Sequence, residues 1–72
     1  MIKRIDNPVI ESSKEILGGE IVFKGTRVPV RALIDYLKAG DSIKDFLDDF
    51  PTVTQRQIVG VLELAQENIA KR

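Results

Sequence analysis

Apolar residues recur along the chain in three helical runs. Val30, Leu33, Ile34 and Leu37 repeat at i, i+3, i+4 and i+7, and Gly40 follows as a stop. Ile43, Phe46, Leu47 and Phe50 repeat at the same spacing. Ser42 is the predicted N-cap of that second run, Asp45 completes a weak capping box, and Pro51 ends it. Asp41 and Asp45 also suit the positive end of the helix dipole. The third run takes Ile58, Val61, Leu62, Ala65 and Ile69. It opens on Thr54 with Gln57 three residues later, the residue types of a capping box, and Lys71 and Arg72 suit its negative end. Val59 and Leu64 fall off this stripe. Apolar residues on two faces predict a second buried contact, such as a dimer seam.

Upstream the helical period disappears. Residues 1–8 end in Asn7-Pro8, a turn signal, and read as a mobile lead-in. Val9-Ile10-Glu11 and Glu20-Ile21-Val22-Phe23 read as strands. Between them, Ser12 to Leu17 reads as a single turn with Ser13 as its cap, stopped by Gly18-Gly19. Lys24-Gly25-Thr26-Arg27 is a tight turn in which Gly25 supplies a positive φ. Pro29 has no N–H, so it belongs at a sheet edge or at the first helical position. The expected fold is mainly α: a three-helix bundle over residues 30–72, with a helix-turn-helix in its last two helices, preceded by a short β-hairpin element over residues 9–29.

Composition narrows the function. A chain of 72 residues is one small domain, and at this size about 60% of the unfolded surface is buried on folding. Three Phe, one Tyr and no Trp predict an aliphatic core. Eleven basic residues balance eleven acidic ones, which excludes a polybasic arm or an acidic tail. The balance hides an asymmetry. Residues 1–31 carry six basic against four acidic side chains, and residues 32–72 carry five against seven. Opposed halves suit head-to-tail contact or a partner with a charged groove; two solvated faces are the plainer reading. The chain has neither Cys nor His, which removes disulfides, thiol nucleophiles, most zinc sites and the commonest general base. Its apolar runs fall short of a membrane span, and Met1 to Asp6 lacks a signal-type apolar segment. The expectation is a cytoplasmic binding protein, oligomeric because its own core is thin, with no cofactor, no metal and no small-molecule substrate.

Two motifs bear on binding. The second helix, the connection Pro51-Thr52-Val53-Thr54 and the third helix are ordered as a helix-turn-helix. The start of the third helix would present Thr54, Gln55, Arg56 and Gln57 to DNA, with Arg suited to guanine and Gln to adenine. A plain solvated first turn is the alternative, and Asp48 and Asp49 nearby oppose phosphate. The other motif is Gly25-Thr26-Arg27, which could cradle a phosphate. Its structural alternative has Thr26 capping the turn and Arg27 paired with Asp35 or Asp49. No catalytic residue emerges. Thr26, Tyr36 and Ser42 have no activating partner in the sequence, and the adjacent Asp48 and Asp49 point in different directions on a helix.

The block from Glu15 to Val30, containing Gly18-Gly19 and Gly25-Thr26-Arg27-Val28-Pro29-Val30, resembles the signature of the domain-of-unknown-function family 433. So do Leu33 to Leu37, Gly40-Asp41-Ser42 and Phe46 to Thr54, so that the resemblance spans about Val9 to Gln66. The chain departs from it at Lys14 and Ile21, where the family often has Pro. The resemblance implies a homeodomain-like three-helix core, usually a homodimer. It also implies an antitoxin-like role: binding a nuclease toxin of the PIN type and, in many cases, operator DNA. A DNA-binding regulator without a toxin is the alternative. Two contact modes for the toxin stay open. Lys24, Arg27 or Arg31 could enter its acidic cleft, or the acidic face from Asp41 to Asp49 could cover its basic rim. Val59, Leu64 and Ile69 are the candidate apolar anchors.

Overall fold

Backbone pairing begins earlier than the sequence pattern suggests. The computed structural model describes residues 5–12, 15 and 17–70. Strand β1, Ile5–Asp6, runs antiparallel to β2, Ile10–Ser12, with Ile5 opposite Ser12. The expected lead-in of residues 1–8 therefore contains an edge strand. Asn7 makes the turn between the two strands: its side-chain oxygen accepts from Val9 N–H at 2.9 Å, and its own N–H donates to the Ile10 carbonyl at 3.2 Å. Strand β3, Val22–Phe23, pairs antiparallel with β2, giving the order β1-β2-β3.

Beyond β3 the chain folds back on itself. Val22 bridges to Pro29, flanked by bonds from Phe23 N–H to the Val28 carbonyl and from Val30 N–H to the Ile21 carbonyl, both 3.0 Å. Pro29 thus takes the edge role open to a residue without an N–H, immediately before helix α1, Val30–Lys38. A 3-10 turn, Leu17–Gly19, precedes β3. Ser12 is buried beside it and donates its hydroxyl to the Gly19 carbonyl at 2.6 Å. The expected cap at Ser13 lies outside the described residues, as do Lys71 and Arg72.

The helices end where their caps dictate. Gly40, at φ 89°, closes α1, while Gly40 N–H reaches the Leu37 carbonyl and Asp41 N–H reaches that of Tyr36. This is the double bond pattern of a Schellman stop. Helix α2, Ile43–Asp49, opens on a reciprocal capping box: Asp45 N–H donates to the Ser42 hydroxyl at 3.0 Å and Ser42 N–H donates to the Asp45 carboxylate at 3.1 Å. Helix α3, Gln55–Ala70, completes the set. The architecture is mainly α with an N-terminal antiparallel element, as the sequence predicts.

The core departs from the expected aliphatic one. All four aromatic residues of the chain meet in a single cluster. Phe46 packs against Phe50 at 4.8 Å, Tyr36 at 5.2 Å and Phe23 at 6.0 Å between ring centroids. Leu33, Val53, Ile58 and Val61 are buried around it. Scarcity of aromatic residues does not keep them out of the centre; a few large rings fill a small core economically, each covering far more area than an aliphatic side chain.

Candidate interaction surface

The Gly-Thr-Arg turn is built to hold itself. Gly25 has φ 78°, which a side chain would strain, although a Cβ there would meet nothing within 4 Å. The Thr26 hydroxyl donates to the Phe23 carbonyl at 2.8 Å and accepts from Val28 N–H at 3.0 Å. Gly25 N–H donates to the Glu11 carboxylate at 2.8 Å. A carboxylate already sits where a phosphate oxygen would have to go, and the Thr26 cap is the role found. Arg27 is exposed and, among the described residues, pairs with neither Asp35 nor Asp49. Asp49 instead accepts the Tyr36 hydroxyl at 2.6 Å. Arg31 pairs with Glu20 at 3.4 Å, a solvated contact worth little in water. Lys24 is exposed and also engaged.

The first turn of α3 is largely committed to structure. Thr54 and Gln57 form the second capping box: Gln57 N–H donates to the Thr54 hydroxyl at 3.1 Å, and Thr54 N–H to the Gln57 side-chain oxygen at 3.0 Å. The Gln57 amide nitrogen then donates to the Lys24 carbonyl at 2.8 Å. Two of the four residues expected to face DNA thus cap α3, and one of them, Gln57, also ties it to the β element. Gln55 and Arg56 remain exposed.

Beside them α2 is acidic. Asp41, Asp45, Asp48 and Asp49 border an open hollow with Tyr36. Three of these carboxylates are already engaged, since Asp45 caps α2, Asp49 holds Tyr36, and Asp48 pairs with Lys44 at 3.0 Å. The Asp49 hydrogen bond holds the Tyr36 phenol above its ordinary pKa. Ser42, through its N–H and then its hydroxyl, holds Asp45 below the usual carboxylate value. Asp48 raises Lys44. No group of acidic residues among those described is arranged to hold a metal ion, and no described helix is long and apolar enough to cross a membrane.

What the surface does offer is apolar. Ile21, Ile34, Leu37, Val59, Leu62 and Ile69 are between 37% and 74% exposed. The α1 stripe read from spacing is therefore rotated. Only Leu33 of the predicted set is fully buried, and Tyr36 with Ala32 faces the core in place of Ile34 and Leu37. On α3, Val59 and Ile69 are exposed as expected of anchors, but Leu64 is half-buried along a groove with Asn7, Pro8 and Val9. Leu62 takes the place expected of Leu64. Gly60, which lines the groove, lets Val9 approach α3 closely: a Cβ there would stand 2.7 Å from a Val9 methyl. A glycine inside a strongly periodic helix is the signal that points to this close approach.

Comparison with known proteins bears out the family resemblance. No solved structure matches the chain. It is 38% identical over 50 residues to the uncharacterized protein y4eO of Sinorhizobium fredii, a match that covers 69% of this chain and 23% of that protein. The chain therefore spans about a quarter of the length of the curated relative it matches. The profile of one family, described as protein of unknown function (DUF433), matches residues 10–65, and the chain belongs to that family.

Proposed function

We propose that this chain is an antitoxin-like interaction protein that binds and neutralises a nuclease toxin with an acidic, metal-binding cleft. The observation that carries the reading is the uncovered apolar face of α1. Ile34 and Leu37 stand exposed on it, Ile21 is exposed on the segment bonded to its first residue, and Arg31 and Lys38 are exposed on the same helix. Apolar anchors with a cationic rim suit an acidic cleft, where the anchors supply affinity and the cations supply steering. Arg27, exposed at the neighbouring turn, makes no ion pair among the described residues. Of the two contact modes, the cationic one is favoured, because three of the four carboxylates around α2 already serve the fold.

Operator binding is the second reading and rests on less. Gln55 and Arg56 are its remaining side chains at the start of α3, next to an acidic helix. The deciding experiment is to purify the product of the gene beside this chain's own, test it for RNA cleavage and measure inhibition by the chain. Equimolar chain is expected to suppress RNA cleavage, and Ile34→Glu and Arg27→Glu to relieve the suppression with the helical signal unchanged. No complex and no inhibition would overturn the reading. Steep salt-dependent binding to upstream DNA, lost in Arg56→Ala, would move the assignment to the regulator.

A further inference from the structure

One peptide group in the loop that displays Arg27 is held from both sides. Thr26 N–H donates to the Phe23 carbonyl at 3.0 Å, which closes a turn with Lys24 and Gly25 at its centre. The φ of 78° at Gly25 is that of the third position of a type II turn. The Lys24 carbonyl and the Gly25 N–H belong to the same trans peptide and point opposite ways. The Gly25 N–H donates to the Glu11 carboxylate, from β2, and the Lys24 carbonyl accepts from the Gln57 amide nitrogen, from α3, both at 2.8 Å. Turning this peptide over would give a type I turn, with φ of about −90° at its third position, a form open to most residues. Here it would set the carbonyl against the Glu11 carboxylate and the N–H against the Gln57 amide nitrogen. Gln57 cannot answer by rotating its amide, because its side-chain oxygen accepts the Thr54 N–H.

We infer that Glu11 and Gln57 are positioning residues for Arg27: together they lock the peptide between Lys24 and Gly25 in one orientation and so fix the loop from which Arg27 is presented. Both contacts lie at the surface, where a hydrogen bond adds little to global stability. What they supply is local order. Thr26 completes it, since its hydroxyl bonds to both sides of the turn. A cation on a loop already in its binding shape loses less freedom when it meets a fixed pair of carboxylates. The lock needs only the geometry of this chain; its value in binding rests on the proposed nuclease contact. Glu11 acts there in two opposed ways. Its negative charge, taken alone, opposes an acidic cleft, whereas its bond to Gly25 favours the loop that enters one. The two effects predict opposite signs for its removal.

NMR of the full chain tests the lock, and affinity for the product of the neighbouring gene tests its value in binding. In Glu11→Ala the Gly25 amide should exchange with solvent at least about tenfold faster than in the wild-type chain. Backbone order parameters over residues 24–27 should fall from about 0.85 toward about 0.6. Gln57→Glu keeps an oxygen for the Thr54 cap but turns the other toward the Lys24 carbonyl. It should loosen the loop with the helical signal unchanged, and it carries the test if Glu11→Ala loses structure. Glu11→Gln keeps an acceptor for the Gly25 N–H and should restore order. In binding, Glu11→Ala should raise the Kd by about three- to tenfold. Glu11→Gln should not raise it, and in an Arg27→Ala background Glu11→Ala should change nothing. A loop as protected and as ordered in Glu11→Ala and Gln57→Glu as in the wild type overturns the inference. So does tighter binding by Glu11→Ala, the sign that its charge alone would give. A wild-type chain that binds no nuclease removes that reading, and the lock then stands or falls on the NMR.

Discussion

Helix α2 and the far half of α3 are built on opposite terms. α2 is seven residues long, too short to persist alone, yet it is closed by a reciprocal cap at one end and by the Phe50-Pro51 stop at the other. Phe46 at its middle is fully buried and touches three other rings. Past Leu64, α3 has no buried residue among those described and still carries Ile69. The one helix is held by what it packs against; the other outruns its packing. Where a small chain spends apolar residues beyond its own core, the spare surface is informative about a companion rather than about folding.

Substitutions can break this contrast. Phe46→Ala should cost about 3–5 kcal/mol, enough to unfold most domains of this size, and chemical denaturation would read it directly. Near-normal stability would mean that the aromatic cluster is not the centre of the fold. Gly60→Ala would ordinarily gain about 1 kcal/mol of helix propensity, but the clash with Val9 should outweigh it by about 1–3 kcal/mol. The check is coupling: Val9→Ala should cost less in the Gly60→Ala background than in the wild-type chain.

Ser42→Ala should cost about 1 kcal/mol through the lost cap. It also has a pH signature. Asp45 is held low in the folded chain, so its contribution is present above the unfolded carboxylate value and is lost as pH falls through the folded one. The N–H, the larger cause, survives in Ser42→Ala, so the acid limb of stability should shrink only in part, measured by melting across acidic buffers. The smallest effect is expected at the tip of α3. In dilute solution Ile69→Ser should shift stability by no more than about 0.5 kcal/mol. A larger loss would show that the far half of α3 is packed after all, and the contrast with α2 would fail.

Much of the architecture is legible in the residues. The i, i+3, i+4, i+7 runs locate three helices, and Ser42, Thr54, Gly40 and Pro51 mark their ends. Gly25 and Thr26 announce the turn. The facing of α1 is not legible, because Val30, Leu33, Ile34 and Leu37 form as good a stripe as Leu33 with Tyr36. The sheet edge at Val28–Val30 and the tyrosine bond to Asp49 decide between them, and both are tertiary. Val53 gives no sign of burial from within a polar connection, yet it fills the core between α2 and α3. At the candidate surface, residue type misleads for Thr54 and Gln57. Amides and hydroxyls that can read a base edge are the same groups that cap a helix, and here the cap wins. Leu64 is misplaced by its spacing, which does not show which side of α3 receives the N-terminal turn.

Gln57 joins two parts of the molecule that differ in purpose. Its amide spans from the opening of α3 to the Lys24 carbonyl, at the root of the loop that displays Arg27. Anything that grips that loop and displaces it must either drag the start of the longest helix along or snap this link. A pull on the loop would therefore register first at the opening turn of α3, in the cap that Gln57 shares with Thr54.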